Sequence, residues 1–191
     1  MAFPALLGPC LGRSVVLVSM LAGGLAGGGC SSPTDEEAPM EAPERITVSS
    51  PAFGEGEAIP GRYSCDGPGQ SPPLEWKGVP DDAAALALLV DDPDAPRGTF
   101  VHWLVVDIPA TARAVEEGAA PPGVEVRSSA GDPRYFPPCP PSGTHRYQFT
   151  VYALSTRTGL SEGAALDEGL RAVRENAVAW GRLTATYTRR G

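Results

Sequence analysis

The sequence predicts a mainly β domain, an antiparallel core with one or two helices attached near the C-terminus. Three observations carry that prediction. Short runs of β-branched and aromatic residues alternate with clusters of turn formers. Only the segment from Leu166 to Ala179 combines length with clear helical spacing. Of 191 residues, 42% are hydrophobic, while Gly and Pro number 23 and 21, which suits a packed domain with long loops.

In chain order, Ile46 to Ser49 is the first strand candidate, stopped by Ser50-Pro51. Ile59 to Tyr63 leads into Cys65-Asp66-Gly67-Pro68-Gly69, a dense turn. Leu86 to Val90 is a compact apolar run, ended by Asp91-Asp92-Pro93-Asp94-Ala95-Pro96. Phe100 to Ile108 is the strongest strand, because β-branched and aromatic residues fill it and Pro109 stops it. Between Pro109 and Thr144 lies a long segment with seven prolines after Ala119. Prolines at that density fix φ, which favours a stiffened binding loop over disorder. Tyr147 to Leu154 and Arg182 to Thr188 are the last two strands. The helix between them carries Leu166, Leu170, Val173 and Ala177 on one face, its acids leading and its arginines following.

Ahead of this domain the chain reads as an address. Arg13 is the only charged residue before Cys30, and an apolar run from Val15 ends in Gly27-Gly28-Gly29. Residues 1–29 thus predict a lipoprotein-type signal peptide, with Cys30 as the acylated first residue of the mature chain. Position 27 is Gly, where an aliphatic residue is usual, so ordinary signal cleavage is the alternative. Residues 30–44 are acidic, proline-rich and short of large apolar groups, and predict a tether. Residues 45–191 form the domain. The expected location is the bacterial cell envelope, facing the periplasm on a lipid anchor, with a soluble secreted or periplasmic form as the alternative.

A formal charge of −8 disfavours nucleic acid as a partner. Five of the 23 acids belong to the tether, so that charge is only partly a property of the folded surface. Of the four cysteines, Cys10 leaves with the signal and Cys30 is assigned to lipid. Cys65 and Cys139 remain, as a disulfide or as two buried thiols; neither belongs to a C-x-x-C pair.

Imidazole chemistry must use His102 or His145, the only two histidines. Strand alternation puts Phe100, His102, Leu104 and Val106 on one face, and His145, Tyr147, Phe149 and Val151 on another, with Arg146 turned away. A lone histidine of this kind reads as a satisfied core residue. Two of them, beside an acid-rich turn and a stiffened loop, point to a site. Among Asp91, Asp92 and Asp94, one carboxylate is expected to accept backbone N–H bonds and another to orient an imidazole.

These residues resemble the phosphatidylethanolamine-binding protein family, in its bacterial Raf-kinase-inhibitor-like branch. The resemblance rests on D-P-D-A-P at Asp92 to Pro96, V-H-W at Val101 to Trp103 and P-P-S-G-T-H-R-Y at Pro140 to Tyr147. Ser50 to Phe53, Arg62 to Gly67 and Ser71 to Leu74 also fit, so it spans about Ile46 to Tyr187. It implies a two-sheet antiparallel sandwich with a Greek-key element. It also implies a small pocket for phosphate-like anions or phospholipid headgroups, built from Asp92, Asp94, His102, Pro140, Pro141, His145 and Tyr147. One departure stands out. Arg134-Tyr135-Phe136-Pro137 occupies the place of a G-Y-G-G run, which predicts a reshaped pocket mouth.

The expected function is therefore an exported, lipid-anchored protein that binds a small anion, with charge-assisted bonds from a histidine kept protonated by a neighbouring acid. The alternative is a regulatory module that binds or inhibits an envelope protein, such as a protease or kinase-like partner. A hydrolase is disfavoured because no G-x-S-x-G elbow is present and Ser142 follows two prolines on a loop. No cofactor is expected. Nor is a metal, since close histidine spacing such as H-x-x-x-H is absent.

Overall fold

A computed structural model describes residues 42–189. Cys30, the signal segment and most of the tether lie outside those residues. Eight strands and one helix follow in order: β1 Thr47–Ser49, β2 Leu74–Lys77, β3 Ala85–Asp92, β4 Phe100–Pro109, β5 Ala114–Val115, β6 Val124–Val126, β7 Thr144–Leu154, α1 Leu166–Asn176 and β8 Ala177–Thr188. A single 3-10 turn, Gly61–Tyr63, precedes β2. The strands form two antiparallel sheets, one of three in the order β1-β2-β5 and one of five in the order β6-β4-β3-β7-β8.

Burial follows from this layering. β3 is central and covered on both faces, so seven of its eight residues are buried and it is apolar from Ala85 to Val90, ahead of the buried Asp91 and Asp92. One face, with Leu88, Val90, Trp103, Val105, Phe149 and Val151, packs against Leu74 and Trp76 of the small sheet. The opposite face, with Ala87, Leu104, Val106 and Val126, receives α1 through Leu166, Leu170 and Val173. The expected helical stripe is thus the buried one. Gly169 permits the close approach: a Cβ there would lie 2.7 Å from Leu104 and 2.8 Å from Val126.

The helix ends earlier than its periodicity predicts. Ala177 to Ala179 belong to β8, because their backbone pairs with Leu154 and Ala153 of β7. Sheet pairing overrides the helical stripe at this point. The segment before α1 folds as turns, with no second helix among the described residues.

β8 is an edge strand of 12 residues, and the chain covers that edge itself. Arg45 and Ile46 N–H groups donate to the Trp180 carbonyl at 2.9 and 3.1 Å, and Ile59 donates to Thr186 at 2.7 Å. The Trp180 indole donates to the Ala42 carbonyl at 2.9 Å. Ala42 to Glu44, the end of the expected tether, are therefore laid against the sheet. Among the described residues, no helix is long and apolar enough to cross a membrane.

Candidate functional site

A cavity of about 140 Å³ opens where the C-terminal end of β3 meets the starts of β4 and β7. It lies below the roughly 300–1,000 Å³ of pockets that hold drug-sized ligands, so any occupant must be small. Asp92, His102, His145 and Tyr147 supply its polar groups; Ala95, Pro96, Phe100, Phe136, Cys139, Pro140 and Pro141 complete the lining.

A β-bulge brings His102 there. Val90 pairs with Trp103 and the next residue, Asp91, pairs with Val101, so His102 is an extra residue in β4. Simple alternation therefore fails, and His102 does not share a face with Leu104 and Val106 as the strand pattern predicts. Those two pack under α1, whereas the His102 ring meets Phe100 at 4.8 Å and Tyr147 at 5.2 Å on the opposite face. For β7 alternation holds: Tyr147, Phe149 and Val151 enter one core, with His145 on the same side at the cavity.

Both imidazoles are held by their Nδ1 atoms. His145 Nδ1 lies 2.7 Å from Asp92 Oδ2, a pair in which both side chains are almost wholly buried. His102 Nδ1 lies 2.7 Å from the Phe136 carbonyl oxygen. A carbonyl only accepts, so His102 carries its proton on Nδ1 and its remaining polar atom is Nε2. Burial pushes the His102 pKa below its ordinary value, and nearby His145 pushes the same way; the Phe136 carbonyl and Asp92 oppose them. The expectation of an acid-stabilised, protonated imidazole thus does not hold for His102, which is neutral near pH 7. Its desolvation outweighs the distant carboxylate.

The acid-rich turn divides its work differently from expectation. Asp92 performs both roles assigned to separate residues: Oδ2 orients His145 while Oδ1 accepts the Asp94 N–H at 2.8 Å. Asp94 is not among the cavity-lining residues. Its carboxylate faces outward to Arg146, accepting from Nε at 2.9 Å, Nη2 at 2.6 Å and the backbone N–H at 2.9 Å. These bonds hold the Asp94 pKa down at about 2. Asp94 therefore fixes the turn that carries Ala95 and Pro96 rather than touching the cavity.

Tyr147 is buried, which raises its pKa and keeps the phenol protonated; the Cys139 backbone N–H on its oxygen opposes that shift. Because the oxygen accepts from Cys139, the O–H proton is left for a ligand. Cys65 and Cys139 are bonded to each other, with Cα atoms 5.4 Å apart, which resolves the two readings of the cysteines. Phe136, the residue of the departing loop, exchanges two bonds with His102: its N–H donates to the His102 carbonyl at 2.9 Å and its carbonyl accepts from Nδ1. Its ring, 38% exposed, stands 5.7 Å from Phe100 at the cavity. Sequence reading did not select Ala95 or Pro96, which a turn brings in without a strand-period signal, nor Phe100, although alternation puts it on the face of His102. Among the described residues, no group of three or more His, Cys, Asp or Glu side chains is arranged to hold a metal ion.

A β sandwich with a cavity at its strand ends, lined by two oriented imidazoles, suits a binding protein. The chain belongs to the phosphatidylethanolamine-binding protein family, whose profile matches residues 49–188. A UPF0098 protein of Methanothermobacter thermautotrophicus is 41% identical over 150 residues, covering 75% of this chain and 99% of the relative. LppC of Mycobacterium tuberculosis, which carries a lipoprotein name, is 38% identical over 192 residues, with 94% of this chain and 95% of LppC covered. Among crystal structures, the family homologue CT736 of Chlamydia trachomatis aligns with a TM-score of 0.73 at 37% identity, covering 77% of this chain and 99% of its own. Escherichia coli YbcL, described as a member of the mammalian family, gives 0.72 at 31%, covering 76% and 99%.

Proposed function

We propose that this protein is an exported, lipid-anchored binding protein whose cavity takes a small anion, phosphate or a phospholipid headgroup. The observation that carries the reading is the convergence on one small cavity of two imidazoles, each held at Nδ1 and left with Nε2, together with the Tyr147 hydroxyl. Tyr147 donates to an anionic oxygen directly. His102 donates through Nε2 only after taking up a proton, or else accepts from a protonated phosphate oxygen. Either way, binding of a phosphate dianion draws in a proton. Charge-assisted bonds of this kind contribute about 1.5–3 kcal/mol each.

The envelope location is supported by the lipoprotein name of LppC, whose aligned region reaches well upstream of the folded domain. A binding role is supported by the family, whose profile bears the name of a binding protein; Ser142 is exposed and outside the cavity lining.

Titration calorimetry with phosphoethanolamine and inorganic phosphate tests the reading. Affinity is expected to rise as pH falls from 8 to 6, with net proton uptake seen as a dependence of the heat on buffer ionisation enthalpy. His145→Ala should abolish binding. Unchanged affinity in that variant would remove the mechanism, and binding of an envelope protein that phosphate does not displace would favour the regulatory reading.

A further inference from the structure

We infer that the Cys65–Cys139 disulfide is a redox gate on this cavity: intact, it holds the proline-rich wall in place, and its reduction by a dithiol releases the wall and weakens anion binding. The inference rests on the reading of the cavity as an anion site.

The argument starts from what can hold the wall. Residues 137–141 are Pro-Pro-Cys-Pro-Pro, and proline has no backbone N–H. Cys139 therefore owns the only backbone donor in the run, and that donor is engaged by the Tyr147 hydroxyl. Upstream, Phe136 is tied to His102 by two bonds, and the Pro138 carbonyl accepts the Cys65 N–H at 3.0 Å. Downstream, Pro141 to Gly143 are exposed until β7 begins at Thr144. Pro140, which is buried, and Pro141, which is exposed, have no backbone donor of their own, and Cys139 beside them is fixed by its bond to Cys65 together with its N–H on Tyr147. Cys139 itself lines the cavity. Both cysteines are only half-buried, within reach of a small dithiol.

The chemistry balances as an ordinary exchange. A thiolate of the dithiol attacks one sulfur of the Cys65–Cys139 bond and forms a mixed disulfide. Its second thiol then closes the reductant's own disulfide. The protein's S–S bond is lost, two cysteine thiols form, and two electrons and two protons have passed from reductant to protein. Coupling of two equilibria is reciprocal, so a ligand that prefers the oxidised cavity must protect the disulfide by the same factor.

Two measurements on the full domain test this. Phosphoethanolamine binding is measured by calorimetry before and after reduction with dithiothreitol, with circular dichroism recorded on both forms. Oxidised protein that binds and folded, reduced protein whose Kd is about 5–150-fold higher would support the gate. Disulfide reduction is then equilibrated against a dithiothreitol redox buffer, with and without saturating phosphoethanolamine; the ratio of oxidised to reduced protein should rise by the same factor. Equal affinity in both redox forms overturns the gate while leaving the anion site standing, as does a reduced chain that unfolds. Absence of binding by the oxidised form overturns the anion site itself, and the gate with it. The pair C65A and C139A supplies a check free of reductant: both variants should match the reduced Kd.

Discussion

At the scale of single residues, Asp92 holds two parts of the cavity at once. One carboxylate oxygen orients His145 and the other closes the turn to Asp94. Asp92→Ala leaves the buried His145 Nδ1–H without an acceptor and is expected to cost about 1–3 kcal/mol in chemical denaturation, besides weakening anion binding. Asp94 should behave otherwise. Its folded pKa is depressed to about 2, so its contribution is present above the ordinary aspartate value and lost as pH falls through the folded one. Unfolding midpoints measured from pH 5 to 2 should therefore fall more steeply in the native chain than in Asp94→Asn. His102 has the opposite linkage. As a base with a lowered folded pKa, it favours the native state above its ordinary pKa of ~6.5 and destabilises it as pH drops below that value. Nitrogen-detected NMR at pH 7 should find His102 neutral with its proton on Nδ1; a charged ring would overturn this assignment.

At the scale of elements, the long strands and the short β1 were legible, and the other small ones were not. β3, β4 and β7 announce themselves by composition, because central strands are apolar on both faces. β2, β5 and β6 have two to four residues each, too few for a period to form, and they exist because a neighbour offers them an edge. The site divides the same way. His102, His145, Tyr147, Pro140 and Pro141 were found through motif and face, and they line one cavity. Where His102 points was not legible, since a bulge arises from pairing between strands rather than from the order of residues in one. For the same reason, Asp94 read as a cavity residue and stands beside it, because the long-range partner Arg146 decides its direction. Packing gives this scale its own test. Gly169→Val drives new carbons into Leu104 and Val126, an overpacking expected to lower stability by about 1–3 kcal/mol in urea denaturation.

At the scale of the whole molecule, the disulfide joins residues 74 positions apart in sequence, one beside the 3-10 turn and the other in the wall of the cavity. Closing a loop of that length restricts the unfolded chain by roughly 4 kcal/mol in the chain-entropy view. Domains commonly hold about 5–15 kcal/mol, so the reduced protein should remain folded with a lower melting temperature, which calorimetric scanning will show. Attachment to the envelope, proposed above, is a separate property that would be carried by Cys30. Cys30→Ser is expected to move the protein from the membrane pellet to the soluble fraction, and persistence in the pellet would refute the lipid anchor. The strap along the edge of β8 then acquires a mechanical meaning. Were the chain anchored through Cys30 as proposed, tension on it would reach the contacts that Ala42, Arg45 and Ile46 make with Trp180. The first groups to bear it are the Trp180 indole and the paired N–H groups of Arg45 and Ile46 on the Trp180 carbonyl. Trp180 would then be the bollard of the mooring line, and it stands on β8, a strand that carries none of the cavity-lining residues.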